Sequence, residues 1–300
     1  MIDRTSLSVL VTGASRGIGF DTALALAGAG FRVWAGVRNE HAARVVCGAA
    51  RDRGGSVTPV LLDVTDAASV NAAFATIGAG REPLYGVVNN AGVTGRAFFE
   101  DYTEDEIARI LDTNLFGTMR VTRGALPLLR KAGRGRIVIM SSVAGRLGQV
   151  CLAPYAASKF ALEGLGESLW QELRAFRIDV SIIEPGIVAA TDIWRDCAML
   201  PATHDPRSPY AHLYPAVERQ TAKLLKAARL TPSDVAGLVV RAMTARRPKI
   251  RYVAGFWTGW LLRAKRYMPG ETFERLCLKH WLRELKEKAP GRAPDLLRLV

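Results

Sequence analysis

No stretch of this chain offers about 18 consecutive apolar residues, which excludes a membrane-spanning helix. Cysteine is scarce: Cys47, Cys151, Cys197 and Cys277 lie too far apart for a zinc site and are too few for a disulfide scaffold. They read as reduced thiols, and no metal centre is expected. The first strand-like segment begins by residue 7, which leaves no room for a secretory signal, so a cytoplasmic protein is expected. Internal repeats and low-complexity tracts are absent. Acidic residues are also short, 28 Asp+Glu against 41 Lys+Arg. What remains is an ordinary globular balance, 49% hydrophobic and 23% charged, with 300 residues to bury a core.

The net charge of +13 is uneven. Residues 246–300 hold 14 basic and 5 acidic side chains, and so carry most of it. Nucleic acid is the reflex partner for such a basic chain. Yet Phe256, Trp257, Trp260, Leu261 and Leu262 stand beside Arg263, Lys265 and Arg266. Bulky apolar residues next to a basic cluster fit a helix on an anionic membrane surface, a partner contact, or a local core with a solvated charged face. No nucleic-acid partner is expected; local packing, a partner contact and peripheral membrane contact through residues 256–267 all stay open.

Apolar strand-like runs alternate with helical spacing along the chain. Strands are expected at 7–11, 31–37, 57–62, 84–89, 136–140, 179–183 and 250–253, and helices at 18–29, 41–53, 67–77, 104–131, 155–176 and 232–245. Thr103 and Glu106 form a capping box for the long helix. The alternation implies an α/β fold, a doubly wound parallel sheet of Rossmann type, with its ligand at the carboxyl ends of the strands. A single catalytic domain over residues 1–255 is expected, with residues 191–230 as a substrate flap and 256–300 as a basic helical extension.

Thr12-Gly13-Ala14-Ser15-Arg16-Gly17-Ile18-Gly19 joins the first strand to the first helix. Glycines there let the backbone approach a pyrophosphate, and the helix N-terminus offers free N–H groups. An acid ending the second strand would hydrogen-bond the ribose 2′-OH of NAD. Here Val37 holds that place and Arg38 follows it, while Arg16 precedes Gly17. Two guanidiniums suit a 2′-phosphate, so NADP(H) is expected over NAD(H).

Tyr155 and Lys159 stand four apart, on one face at the start of a helix. A phenol near pKa 10 works poorly at neutral pH, and a neighbouring cation brings it toward the working range. Ser142, thirteen residues before Tyr155 and just past a strand, is placed to bond a substrate oxygen. Ser141 is the alternative hydroxyl. Asn114, inside the long helix, is expected to hold a water against Lys159. Cys151 is expected to line the substrate mouth as a small apolar residue rather than as a nucleophile. His204 and His212 read as loop residues.

The octapeptide, Asp63, Asn89-Asn90-Ala91-Gly92 and the set Asn114, Ser142, Tyr155 and Lys159 together resemble the short-chain dehydrogenase/reductase family over about residues 7–255. The resemblance implies that Tyr155 donates or accepts the proton, that Lys159 tunes it and holds the nicotinamide ribose, and that Ser142 orients the carbonyl or alcohol. Asn114 would complete a proton relay. It also implies Asp63 and Val64 beside the adenine, Asn90, Ala91 and Gly92 supporting the cofactor, and backbone after Pro185-Gly186, near Ile187 and Val188, at the carboxamide. The family often has Thr at the sixth position when that Pro is counted as the first; here Ala190 stands there and Thr191 follows.

The long segment after Pro185-Gly186 and the Arg251-Tyr252 pair resemble the steroid and retinol dehydrogenase branch. Trp194, with Ile193, Met199, Leu200, Tyr210, Leu213 and Tyr214, offers apolar surface over a lipid-sized substrate. The expectation is an NADP(H)-dependent oxidoreductase interconverting a hydrophobic alcohol and its ketone or aldehyde. A ketoreductase for carrier-bound acyl chains is the alternative, and a non-catalytic cofactor sensor a weaker one, since a sensor needs no Ser142 and Tyr155 together. A homodimer or homotetramer paired through the helices near 104–131 and 155–176 is expected by resemblance.

Overall fold

The apolar run Ser8–Thr12 is buried along its whole length, as a central parallel strand covered on both faces must be, and forms β1. It is followed by β2 (Arg32–Val37), β3 (Val57–Leu61), β4 (Leu84–Asn89), β5 (Gly135–Met140), β6 (Ile178–Pro185) and β7 (Arg251–Ala254). All pair in parallel, in the order β3-β2-β1-β4-β5-β6-β7. A computed structural model of the chain describes residues 4–189 and 199–286.

Helices α1 (Gly17–Gly28), α2 (Glu40–Asp52) and α8 (Pro232–Thr244) cover one face of the sheet through Leu26, Val46, Val235 and Val239. Helices α3 (Ala67–Gly78), α5 (Gly117–Lys131) and α6 (Ala153–Glu172) cover the other through Ile77, Leu129 and Leu162. The strand order reverses between β1 and β4, and the crevice that opens at their carboxyl ends is where a ligand binds in such sheets.

The expected long helix over 104–131 is interrupted. Helix α4 (Glu104–Leu111) starts on the Thr103–Glu106 capping box and passes into a widened π-helical turn, Asp112–Phe116, before α5. Apolar spacing does not reveal that turn, which holds Asn114; such turns are frequent at functional sites. The flap segment also contains more helix than its Pro, His and Tyr content suggests. Helix α7 spans Tyr214–Ala227, with Pro215 in its first turn, where the missing N–H would have no helical partner anyway.

The extension forms α9 (Phe256–Tyr267) and α10 (Thr272–Lys286). Both pack on the α/β body. Leu262, Met268 and Phe273 meet Val143 and Leu147, while Trp281 and Leu282 meet Leu213 and Ala216. Only part of the expected apolar surface is covered, because Phe256, Trp257, Trp260 and Leu261 remain exposed. Among the described residues no helix is long and apolar enough to cross a membrane.

Candidate active site

At the β1–α1 turn, Gly13 and Gly17 have φ of +64° and +56°, in the region that glycine adopts without strain. A Cβ on Gly19 would lie 2.2 Å from the Gly13 carbonyl oxygen, and one on Gly17 would enter open space. The turn is locked to the end of β4. Thr12 Oγ1 accepts from the Asn90 and Ala91 amides at 2.9 and 3.0 Å, and Asn90 Nδ2 donates to the Thr12 carbonyl at 3.0 Å. The result is a bare backbone surface at the N-terminus of α1, suited to a pyrophosphate.

On the flank, Asp63 accepts from the Thr65 amide and hydroxyl at 2.9 and 2.7 Å. Burial works against the Asp63 carboxylate, but the two Thr65 hydrogen bonds and the nearby Arg38 charge prevail and hold its pKa below the usual carboxylate range. Arg16 and Arg38 are both exposed on the rim.

The other end is built by β5 and α6. Ser142 follows β5, and its Oγ accepts from the Ala144 amide at 3.1 Å, which fixes the hydroxyl at the head of a short 3₁₀ turn. Ser141 is buried, with its Oγ crowded against Gly145 and lacking a hydrogen-bond partner. Tyr155 lies in the first turn of α6, and Lys159 one turn on. Lys159 is buried and donates from Nζ to the Met140 carbonyl at 2.8 Å. The same nitrogen is 5.6 Å from the Tyr155 ring centre. Burial pushes the Lys159 pKa down to about 8, opposed by the Glu163 charge. Most of the ammonium therefore survives at pH 7, beside the phenol whose ionisation it favours.

Glu163, one turn beyond Lys159, belongs to a group that sequence reasoning missed. Its Oε2 and the Glu184 Oε1 both lie 3.0 Å from Arg251 Nε, and Arg146 reaches Glu184 Oε1 at 3.1 Å. Glu184 is fully buried, so its carboxyl is pushed up, first by burial and then by the Glu163 charge. Glu163 Oε1 and Glu184 Oε2 are buried without hydrogen-bond partners. The signal in the sequence is an acid four residues after Lys159; Arg251 enters there only through family likeness.

One cleft of about 630 Å³ joins the two ends. Gly13, Ser15, Arg16, Gly17, Ile18, Gly19, Arg38, Asp63, Val64, Asn90, Ala91 and Gly92 line it, as do Ser142, Tyr155, Lys159, Pro185, Gly186 and Val188. Val93, Thr94, Gln149 and Leu152, not anticipated from sequence, line the same cleft. The shared cleft, bare glycine turn and neighbouring hydroxyls fit a dinucleotide and a small alcohol or carbonyl together.

Two of the expected site residues have surroundings that the sequence does not show. Asn114 Nδ2 donates to the Val93 carbonyl and to Ser158 Oγ at 2.9 and 3.0 Å, while its Oδ1 accepts from the Val93 amide at 2.8 Å. Both amide protons are used, so the side chain ties the widened turn to Val93 in the wall of the cleft. Cys151 is absent from the cleft wall; it is buried against α7 with Tyr214 and Val217. Burial pushes its thiol up to about 12, as suits an inert packing residue. Thr191, Ile193 and Trp194 lie outside the described residues.

The family model for short chain dehydrogenase matches residues 8–199. Retinol dehydrogenase 16 of Rattus norvegicus is 32% identical over 293 residues, covering 94% of this chain and 90% of that protein. The mitochondrial D-beta-hydroxybutyrate dehydrogenase of the same organism is 30% identical, covering 90% of this chain and 83% of its own length. The crystal structure of a single-site variant of actinorhodin polyketide ketoreductase with NADPH superposes with a TM-score of 0.70 at 28% identity, covering 85% of this chain and 97% of that one. This chain belongs to the short-chain dehydrogenase family, oxidoreductases that act on CH–OH groups and bind a nicotinamide cofactor.

Proposed function

We propose that the protein interconverts a hydrophobic alcohol and its ketone or aldehyde, of steroid, retinoid or similar lipid-like size, with NADP(H) as preferred cofactor. The observation that carries this reading is the single cleft with Ser142, Tyr155 and Lys159 at one end and Arg16 and Arg38 at the other. When bound, the nicotinamide supplies or accepts the hydride. In reduction, the Tyr155 hydroxyl gives its proton to the carbonyl oxygen while Ser142 holds that oxygen. In oxidation, the tyrosinate takes the alcohol proton. Lys159 stabilises the tyrosinate by its charge.

Apolar residues in the cleft wall, namely Val93, Val143, Leu152 and Ile187, support an apolar substrate, as does the similarity to a retinol dehydrogenase. The likeness to a polyketide ketoreductase supports the second reading, reduction of a carrier-bound acyl chain. Exposed Phe116 and Phe160, on the widened turn and on α6, support a homodimer or homotetramer through these helices. A screen of NADPH oxidation and NADP⁺ reduction against steroids, retinal, long-chain aldehydes and acyl thioesters tests the assignment. Turnover of a lipid-like carbonyl or alcohol is expected; exclusive turnover of acyl thioesters would establish the second reading instead.

A further inference from the structure

Helix α9 is pinned to the body by one face only. Thr258 closes against Gly186, where a Cβ would lie 2.2 Å from Thr258 Oγ1. Leu262 packs toward Val143 and Leu147, and Lys265 Nζ donates to the Arg146 carbonyl at 3.0 Å. The opposite side stays in solvent: Phe256 is 74% exposed, Trp257 81%, Trp260 53% and Tyr267 79%. So many large aromatics on one helix amount to an unusual surface, since such side chains are normally covered or functional.

The chemistry of the strip narrows what covers it. Helix α9 contains no acidic residue. Arg263 sits 5.6 Å from the Trp260 ring centre, and Arg266 is exposed beside Tyr267. Two copies facing each other through this strip would bring arginine toward arginine with no carboxylate on either helix to pair. Interfacial tryptophan and tyrosine with flanking arginine instead match the layered polarity of a lipid headgroup region. Gly186 and Val143, the residues against which α9 is seated, both line the active-site cleft.

We propose that the outer face of α9 docks on an anionic lipid surface. Phe256, Trp257 and Trp260 enter the headgroup layer, and Arg263 and Arg266 meet lipid phosphates. The seating of α9 against Gly186 and Val143 places the cleft next to that surface, where an alcohol dissolved in lipid would reach it directly. The docking does not depend on which alcohol the cleft takes.

The test uses the full chain with vesicles of phosphatidylcholine alone or mixed with phosphatidylserine, at low and high salt. Co-sedimentation is read together with quenching of tryptophan emission by brominated lipid. Binding to the anionic vesicles at least about tenfold tighter than to neutral ones, and weakening with salt, is expected. The Trp257→Ala/Trp260→Ala variant should lose the brominated-lipid quenching, and Arg263→Glu/Arg266→Glu should lose the preference for anionic lipid. Both variants change exposed side chains and should keep the wild-type melting temperature. Negligible binding to both vesicle types, or binding that neither variant alters, overturns the proposal. So does a concentration-dependent dimer in sedimentation velocity that Trp257→Ala/Trp260→Ala converts to monomer, which assigns the face to a second copy. Binding to polyglutamate without binding to vesicles assigns it to an acidic polypeptide and overturns it equally.

Discussion

Lys159 and Glu163 stand one turn apart on α6, both buried, with the ammonium on the Met140 carbonyl and the carboxylate on Arg251. The acid is the charge that opposes the burial penalty on the lysine. The charge state of Lys159 thus rests partly on a residue that does not line the cleft.

Glu163→Gln should therefore lower the Lys159 pKa further below about 8. The ammonium would be lost earlier as pH rises, so the alkaline limb of the reduction rate should move to lower pH. Cofactor affinity measured at pH 6, where the ammonium persists, should change little. A pH–rate profile with an unmoved alkaline limb would show that Glu163 has only a packing role.

Lys159→Met should separate activity from stability. The lysine pKa falls from its ordinary 10.5 to about 8 in the fold, so the unfolded chain binds more protons between those values. Wild-type stability should accordingly rise with pH through that window, as the burial penalty is relieved. The methionine variant lacks the ammonium and should lose that dependence. At pH 7 it should be no less stable than wild type within about 1 kcal/mol, with lost burial cost offsetting the lost hydrogen bond. Denaturant melts at pH 7 and pH 10 check the sign.

Much of this site is legible in the sequence because its chemistry is local. Tyr155 and Lys159 share a helix face by spacing alone, and the glycine turn sits at a strand–helix junction that hydrophobic rhythm locates. The buried acid group is not legible in that way. Glu163 and Arg251 are 88 residues apart, and only the placement of β7 beside β6 unites them with Glu184. Asn114 is visible in the sequence, but its bonding to Val93 depends on a widened turn that leaves no mark in apolar spacing. Proximity in sequence to Ser142 and Tyr155 suggests a place in the cleft for Cys151; its left-handed backbone, φ +63°, is accompanied by burial beneath α7 instead.

Arg38→Asp tests the cofactor end. Replacing attraction for a 2′-phosphate by repulsion should weaken NADPH binding about 10- to 100-fold while leaving NADH binding within a fewfold. Fluorescence titration of both cofactors against both proteins decides it. A wild type that prefers NADH would contradict the two-arginine argument.

Gly19→Ala should abolish cofactor binding, because the new Cβ would lie 2.2 Å from the Gly13 carbonyl oxygen and 2.4 Å from Asn90 Nδ2. The turn must then shift. Gly28→Ala, on the same helix with nothing within 4 Å, is the control and should bind normally. Equal binding by the two variants, measured by calorimetry, would mean that the turn does not form the cradle.

The most direct test of the whole account is Tyr155→Phe, assayed on whichever carbonyl compound the wild type reduces. The ring and its packing against the cluster of Ala97, Tyr102, Ile110 and Leu200 remain, and only the proton donor is removed. Cofactor binding by titration should match wild type, while kcat should fall about 10²- to 10⁴-fold. Turnover at the wild-type rate, with the cofactor bound normally, would contradict the assignment of Tyr155 as the acid–base group.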